Sequence, residues 1–485
     1  MTAERDWDSM NDSALSRSID RHCANRLSIV GIGPGDASLR TLAAVDAIKG
    51  ADYVVGYRPY LKLIEDLLPG KEVYSSGMGK ETDRVRAALD LLSRGPVALV
   101  SSGDANVYGM AGLGLEMAEH PAEVEVIPGV TSFTAAACRA GLLFRECVAV
   151  ISLSDLLTPW QDIEGRLRQA ADFGMPVALY NPRSRKRDWQ LLRALNIYEK
   201  RDVLVAKEVG REGERLFWTT AAALMDSVSL REEIDMTTLL ILPGRGTYRG
   251  DVAREAEVNL VGTGPGDQEN LTAEARTILS SSEKILGAER YLNLIGDYPG
   301  EKVAHAGPCP ERSYARFQEA EQLARSGKRA SILTGGDPSI FSAGWRIMDL
   351  ARNRLPVHIS PGVSAFSSVA ARAGAPLSGD FALLSQLDNP EAPSLLAAAG
   401  FGVVIYNVKG HEVQALLQEL EPERAVALAR DVARKGEEMI IMKAEELMET
   451  KPSGFRFTLL VSCPKAEIIE GRIIARRGYD TKYSY

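Results

Sequence analysis

Short apolar runs alternate with stretches of helical periodicity along most of the chain. RLSIVGIG (26–33) is strand-like and ends in a glycine turn, and LRTLAAVDAIKG (39–50) then places Leu39, Leu42, Val45 and Ile48 at helical spacing. ADYVVGY (51–57) predicts the next strand, RVRAALDLLSRG (84–95) a helix and PVALVSSGD (96–104) a third strand. The same succession returns later as VNLVGTG, LTAEARTILSSS, EKILGAERYL and RASILTGGD. Strand–helix alternation of this kind predicts α/β layers with a substantially parallel sheet.

The return is a duplication. GIGPGD at Gly31 and GTGPGD at Gly262 are 231 residues apart, as are GYRPYL at Gly56 and GAERYL at Gly287. Gly103-Asp104 answers Gly336-Asp337, and PGVTS at Pro128 answers PGVSA at Pro361, both at 233. Tyr180-Asn181 pairs with Tyr406-Asn407 at 226. Landmarks in one order at nearly one offset define two copies of a domain. The first runs from Arg26 to Gly244 and the second from Glu257 to Tyr485, with polar, glycine-bearing 245–256 as linker. Residues 1–25 are polar and are expected to form a disordered tail.

Composition narrows the function classes. The 485 residues are 45% hydrophobic and 25% charged, an ordinary globular profile. Lys+Arg of 57 against Asp+Glu of 65 leaves −8, which argues against a dedicated nucleic-acid binder. No apolar run reaches the ~18 residues of a membrane span. The N-terminal stretch lacks the apolar centre of a signal peptide, so a cytoplasmic protein is expected. Five cysteines and five histidines are scattered without CxxC or HExxH spacing, so neither a disulfide frame nor a metal site is expected.

The glycine turns carry the candidate chemistry. In α/β sheets ligands collect at turns that follow strands. Gly33-Pro34-Gly35-Asp36 permits close backbone approach, Gly103-Asp104 sets a carboxylate beside a permissive backbone, and Thr131-Ser132 offers hydroxyls to cap a helix. A dinucleotide fingerprint fails here: Asp36 stands where glycine or alanine belongs, and Asp52 precedes its strand instead of closing it.

GIGPGD, SSGDANVYGM, IPGVTS and LYNPRSR, in that order, resemble the tetrapyrrole methylases, which use S-adenosylmethionine in building cobalamin and sirohaem. Within that family the first copy resembles the precorrin-3B C(17)-methyltransferases through GYRPYLKLIEDL, SSGMGKE, VAVISLSDLLTPW and LYNPRSRKRDWQL. The second copy resembles the same family over its length, and its EGRIIARRGY is similar to the C-terminus of the C(17) enzymes. The resemblance implies two α/β subdomains flanking a cleft in each copy. It also implies methylation of carbon 17 of precorrin-3B, or its cobalt form, with ring contraction to precorrin-4. The cofactor would be held by Pro34, Gly103, Asp104, Val107, Thr131, Ser132, Asn181 and Gly210. A second cofactor site would use Pro265, Gly336, Asp337, Ile340, Ser364 and Ala365.

Other roles follow from chemistry near these motifs. Arg183 and Arg185 are candidates for the substrate's carboxylates. Ring contraction moves protons, and Lys80, Glu81 and Asp155 are the candidate acid–base groups. The copies diverge where substrate chemistry is expected: SLSDLLTPW becomes SQLDNPEAP, NPRSRKR becomes NVKGHE, and Gly210 falls opposite Ala433. Ala105 also stands where the second copy has Pro338. Three readings remain: one active copy with a structural partner, a bifunctional methylase, or a non-catalytic tetrapyrrole- or cofactor-binding scaffold. The resemblance implies a homodimer or, with the two copies fused, an intramolecular pseudo-dimer.

Overall fold

The computed structural model describes residues 26–184, 187–266, 268–374, 377, 379–388, 392–476 and 478–479. The tail read over residues 1–25 and the candidate Arg185 lie outside them. The first copy opens with strands β1 (Leu27–Gly31), β2 (Tyr53–Tyr57), β3 (Glu72–Ser76), β4 (Val97–Ser101) and β5 (Val124–Ile127). They form a parallel sheet in the order β3-β2-β4-β1-β5. Val97–Ser101 is buried throughout, as expected of a central parallel strand covered on both faces. After β6 (Leu142–Phe144) come β7 (Cys147–Ser152), β8 (Val177–Tyr180), β9 (Asp202–Lys207), β10 (Arg215–Thr220), β11 (Thr238–Leu242) and β12 (Thr247–Arg249).

The second copy repeats the plan. Its first sheet is β13 (Val258–Gly262), β14 (Lys284–Gly287), β15 (Glu301–Ala304), β16 (Ala330–Thr334) and β17 (Val357–Ser360), ordered β15-β14-β16-β13-β17. There follow β18 (Phe381–Ser385), β19 (Gly402–Val408), β20 (Ala425–Arg430), β21 (Glu438–Lys443) and β22 (Phe457–Val461), then the hairpin β23 (Ala466–Ile469) and β24 (Arg472–Ala475).

The two copies share one sheet. Strand β7 pairs antiparallel with β18, Ala149 opposite Ala382 at the centre, giving the order β10-β9-β11-β8-β7-β18-β19-β22-β20-β21. Only β7-β8 and β18-β19 are parallel within it; the other pairs are antiparallel, and of these β9-β10 and β20-β21 are joined by short hairpins. The expected parallel character therefore holds for the first sheet of each copy and not for the shared one. Two apolar layers cover this sheet, and each draws on both copies. Leu179, Ile151 and Leu384 lie in one; Phe133, Phe144, Phe366 and Phe381 lie in the other. The rings of Phe133 and Phe366 stack 6.3 Å apart across the junction. Burying an aromatic side chain contributes ~2–3 kcal/mol, so the junction is core and not a domain contact.

Residues 245–256, read as a linker, are partly structured. Strand β12 pairs with β6, and the Gly250 amide donates to the Gly141 carbonyl at 3.0 Å. Tyr248 of β12 and Val252 beyond it pack on the second copy's first sheet beside Met348 and Trp345. At the other end of the chain Ile474 of β24 is buried with Leu27 and Val97 of the first copy. Each copy's closing segment thus lies on the other copy's opening sheet.

A polar junction completes the contact. Arg139 reaches Glu274 at 3.6 Å, and Glu274 also lies 3.4 Å from His358 Nε2 and accepts from Ser360 Oγ at 2.9 Å. Burial pushes the Glu274 carboxyl up, but the His358 hydrogen bond and the Arg139 charge outweigh it and hold it below its usual 4.5. A carboxyl lowered on folding stabilises fully above its unfolded value and loses that contribution as pH falls through the folded one. The melting temperature is therefore expected to drop as pH falls below the ordinary glutamate range, and Glu274→Gln to flatten part of that slope. Thermal unfolding followed by circular dichroism across that range checks this; parallel slopes in the two proteins would refute it.

Candidate active site

In the first copy the three glycine turns pack onto one another. The Gly33 amide donates to the Gly103 carbonyl at 3.1 Å and the Gly103 amide to Gly33 at 2.8 Å. A Cβ on Gly31 would lie 2.8 Å from the Gly129 nitrogen, and one on Gly129 2.5 Å from the Gly103 carbonyl oxygen. No side chain fits between these backbones. Gly103 itself, at φ +68°, has an open face: a Cβ there meets nothing nearer than Ser132 Oγ at 3.5 Å. That open face between packed backbones is the cradle.

Asp104 fastens the cradle from below. Its Oδ1 accepts from the Asn106 amide at 2.7 Å and from Asn106 Nδ2 at 2.9 Å, and its Oδ2 from the Gly129 amide at 3.3 Å. It is 1% exposed, and burial pushes its carboxyl up against the pull of those hydrogen bonds. Asp104 therefore joins two turns and faces away from solvent. The hydroxyl pair works differently from the expected cap. Thr131 precedes the helix Ser132–Arg139 but makes no capping bond. The Tyr180 hydroxyl instead accepts from the Phe133 amide at 3.1 Å and lies 3.0 Å from Thr131 Oγ1. A half-buried phenol from β8 thus takes the role assigned to the hydroxyls.

The second wall meets the first through backbone. The Gly210 carbonyl accepts from the Asp36 amide at 2.7 Å, and a Cβ on Gly35 would lie 1.8 Å from that oxygen. Arg211 Nε donates to the Pro34 carbonyl at 3.0 Å. Asn181, at φ +51°, donates from Nδ2 to Ser152 Oγ at 3.0 Å. Val107 is buried beside Val130 and Val209. The structure thus brings Pro34, Gly103, Asp104, Val107, Thr131, Ser132, Asn181 and Gly210 together.

The catalytic and substrate candidates are more dispersed. Lys80 is largely exposed and pairs with Asp83 at 3.0 Å. Glu81 accepts from the Gly79 amide at 3.2 Å at the start of the helix Glu81–Leu91. Asp155 is held by Gln190 Nε2 at 2.9 Å, three residues beyond Ser152. Arg183 is committed elsewhere, to Asp188 at 3.1 Å and the Arg231 carbonyl at 2.9 Å. Arg187 is the arginine beside Asn181, donating to its carbonyl at 3.0 Å next to Met236. Arg84, buried, anchors the SSGMGKE loop through Ser76 Oγ and the Gly77 carbonyl. Sequence reading passed over Arg187 and Arg84; the RSRKR run was its only pointer to the first.

The second copy reproduces the backbone and not all side chains. Gly264 and Gly336 pair at 3.1 and 2.8 Å, and Asp337 accepts from the Ser339 and Gly362 amides at 2.8 and 3.0 Å. Arg434 holds the Pro265 carbonyl at 2.6 Å. Ala433 adopts φ +61°, so the loss of glycine costs strain without changing the path. Pro338 and Ala105 likewise occupy equivalent turns, with Gly336 and Gly103 both at φ +68°. Ala365, however, removes the hydroxyl of Ser132, and Ile340 is bridged to Phe144 of the first copy. Ser364 Oγ is buried with no hydrogen-bond partner among the described residues.

The family model of the tetrapyrrole (corrin/porphyrin) methylases matches residues 26–225 and 257–448. The chain belongs to that family. The methylase's first half is 41% identical, over 46% of this chain and 95% of the relative, to the probable cobalt-factor III C(17)-methyltransferase of Salmonella typhimurium. The chain is also 42% identical, over 45% of its length and 49% of the relative, to the cobalamin biosynthesis protein CbiHC of Archaeoglobus fulgidus. Among solved structures, that of the methyltransferase CobJ is 31% identical with a TM-score of 0.41, covering 47% of this chain and 98% of that one. Among the described residues of this methylase no helix is long and apolar enough to cross a membrane. Nor do three His, Cys, Asp or Glu side chains gather there as a metal site would require.

Proposed function

We propose that the first copy transfers a methyl group from S-adenosylmethionine to carbon 17 of precorrin-3B or its cobalt form, with contraction of the ring. The observation that carries this reading is the 41% identity to a C(17) enzyme across 95% of that enzyme's length. The residues fit the cofactor. The open face of Gly103 beside the Ser132 hydroxyl admits a polar chain, and Val107, four residues on, adds an apolar side chain to the same turn.

When bound, S-adenosylmethionine supplies an electrophilic methyl group on a sulfonium centre. This chain's own residues position: in-line displacement gains most from fixing two reactants at attack distance. Asp104 fixes the turns, Gly210 and Arg211 close one wall on the other, and Asn181 with Ser152 sets the start of the SLSD loop. Asp155 lies three residues beyond Ser152, and we assign it the proton transfer ahead of Lys80 and Glu81. Arg187 and Met236 beside Asn181 offer a cation and an apolar surface to a macrocycle edged with carboxylates, a better placed pair than Arg183. The sheet shared through β7 and β18 supports an intramolecular pseudo-dimer over a homodimer of the first copy.

Incubation with methyl-labelled S-adenosylmethionine and either precorrin-3B or cobalt-factor III tests the reading. One label incorporated at carbon 17 of a ring-contracted product is the expected result. Label on another carbon, or none with either substrate, would overturn it. A second reading, methylation of another position by the second copy, is favoured by the preserved backbone at Gly264, Gly336 and Ala433.

A further inference from the structure

One carboxylate of the second copy reaches into the first copy's site. Asp380 lies immediately before β18 and is 6% exposed. Its Oδ1 accepts from the Tyr108 hydroxyl at 2.8 Å and from the Ser152 amide at 2.9 Å. Its Oδ2 accepts from Arg166 Nη1 at 2.8 Å. Tyr108 ends the Gly103 turn next to Val107 and holds the left-handed φ of +51°, a conformation that a bulky residue keeps only when its surroundings enforce it. Ser152 passes the restraint on, because its hydroxyl accepts from Asn181. Asp380 therefore stands between the cofactor turn of one wall and the Ser152–Asn181 pair of the other.

The arrangement is one-sided. At the offset of 233 the counterpart of Tyr108 is Phe341, which has no hydroxyl, and the counterpart of Asp380 is Cys147. The Phe341 turn is held instead by backbone, its amide donating to the Phe144 carbonyl at 2.9 Å while the Phe144 amide donates to Ser339 at 2.7 Å. A buried carboxylate satisfied by three donors is costly to desolvate and is specific in where it holds its partners.

We propose that Asp380 is a positioning residue for the first copy's site, supplied by the second copy, which locks the Tyr108 turn against the Ser152 loop in the cofactor-binding geometry. The proposal rests on reading that cradle as the S-adenosylmethionine site. It makes the second copy necessary to the first for a reason beyond covering its sheet edge.

The test is calorimetric titration of the full chain with S-adenosylhomocysteine for wild type, Tyr108→Phe, Asp380→Asn and the double variant, with melting temperatures alongside. Tyr108→Phe removes one hydroxyl and is expected to weaken binding at the first copy about tenfold, Asp380→Asn at least as much. The double variant is expected to bind no more weakly than Asp380→Asn alone, the non-additivity of two groups acting through one contact. A purely structural role would move the melting temperatures and leave the affinities unchanged, and that result overturns the proposal, as would additive losses. If Asp380→Asn does not fold, an unchanged affinity in Tyr108→Phe is sufficient to overturn it. A wild type that binds no S-adenosylhomocysteine would instead remove the cofactor reading itself.

Discussion

Asp104→Ala is expected to abolish S-adenosylhomocysteine binding at the first copy, whereas Asp337→Ala leaves it within a factor of about two. The reason is the set of donors that Asp104 satisfies. Without it the amides of Asn106 and Gly129 and the Asn106 side chain lose an acceptor in a place closed to solvent. Each of the two amides left without an acceptor costs ~1–3 kcal/mol, while Asn106 Nδ2 keeps only the Ser367 carbonyl at 3.3 Å. The turn is expected to move, and a cradle displaced by 1 Å no longer binds. Titration of the two variants beside wild type reads this directly. One equivalent in wild type, retained in Asp337→Ala and lost in Asp104→Ala, assigns binding to the first copy. Two equivalents, each removed by one variant, would give the second copy a site of its own and favour a second methylation.

The second large effect comes from dividing the chain. Residues 26–256 expressed alone keep β7 but lose β18, exposing a strand edge whose six residues Cys147–Ser152 are all buried in the intact protein. Phe133 and Phe144 would lose the Phe366 and Phe381 layer at the same time. An unprotected apolar edge pairs with whatever strand is available. The fragment is expected to elute from size exclusion as a self-associated species, with no monomer above about 10 μM, and to be recovered in a one-to-one complex when residues 257–485 are co-expressed. A stable monomer with a cooperative melt would show that the junction contributes little to the fold.

Much of this was legible in the chain. The duplication could be read because its landmarks keep one offset, and the glycine turns because close backbone approach leaves few other choices of residue. Strand β3 could not: Glu72, Val73, Tyr74 and Ser75 are all exposed, so no alternation of apolar and polar residues marks them. Strand β12 was hidden in a polar stretch because what stabilises it is pairing with β6, more than a hundred residues earlier. The capping role of Tyr180 and the contact of Asp380 with Tyr108 have the same cause. The latter pair is 272 residues apart in sequence, and no local pattern encodes a meeting that only the shared sheet brings about. Arg183 and Arg187 illustrate the limit within one motif. Composition could mark the run, but only the fold decides that Asp188 and the Arg231 carbonyl occupy the first and Asn181 the second.

The pairing of β7 with β18 within one polypeptide has a further consequence. In an assembly of two identical chains every substitution appears on both sides of the axis, so a residue that suits one site must also be tolerated at its mirror position. Here Tyr108 faces its task while Phe341 fills the mirror position, and Asp380 does so while Cys147 fills the other. Joining the halves releases them from that shared constraint. It also holds them at a fixed one-to-one ratio that dilution cannot alter. One half can then specialise in chemistry and the other in shaping its neighbour, a division of labour that two identical chains cannot encode.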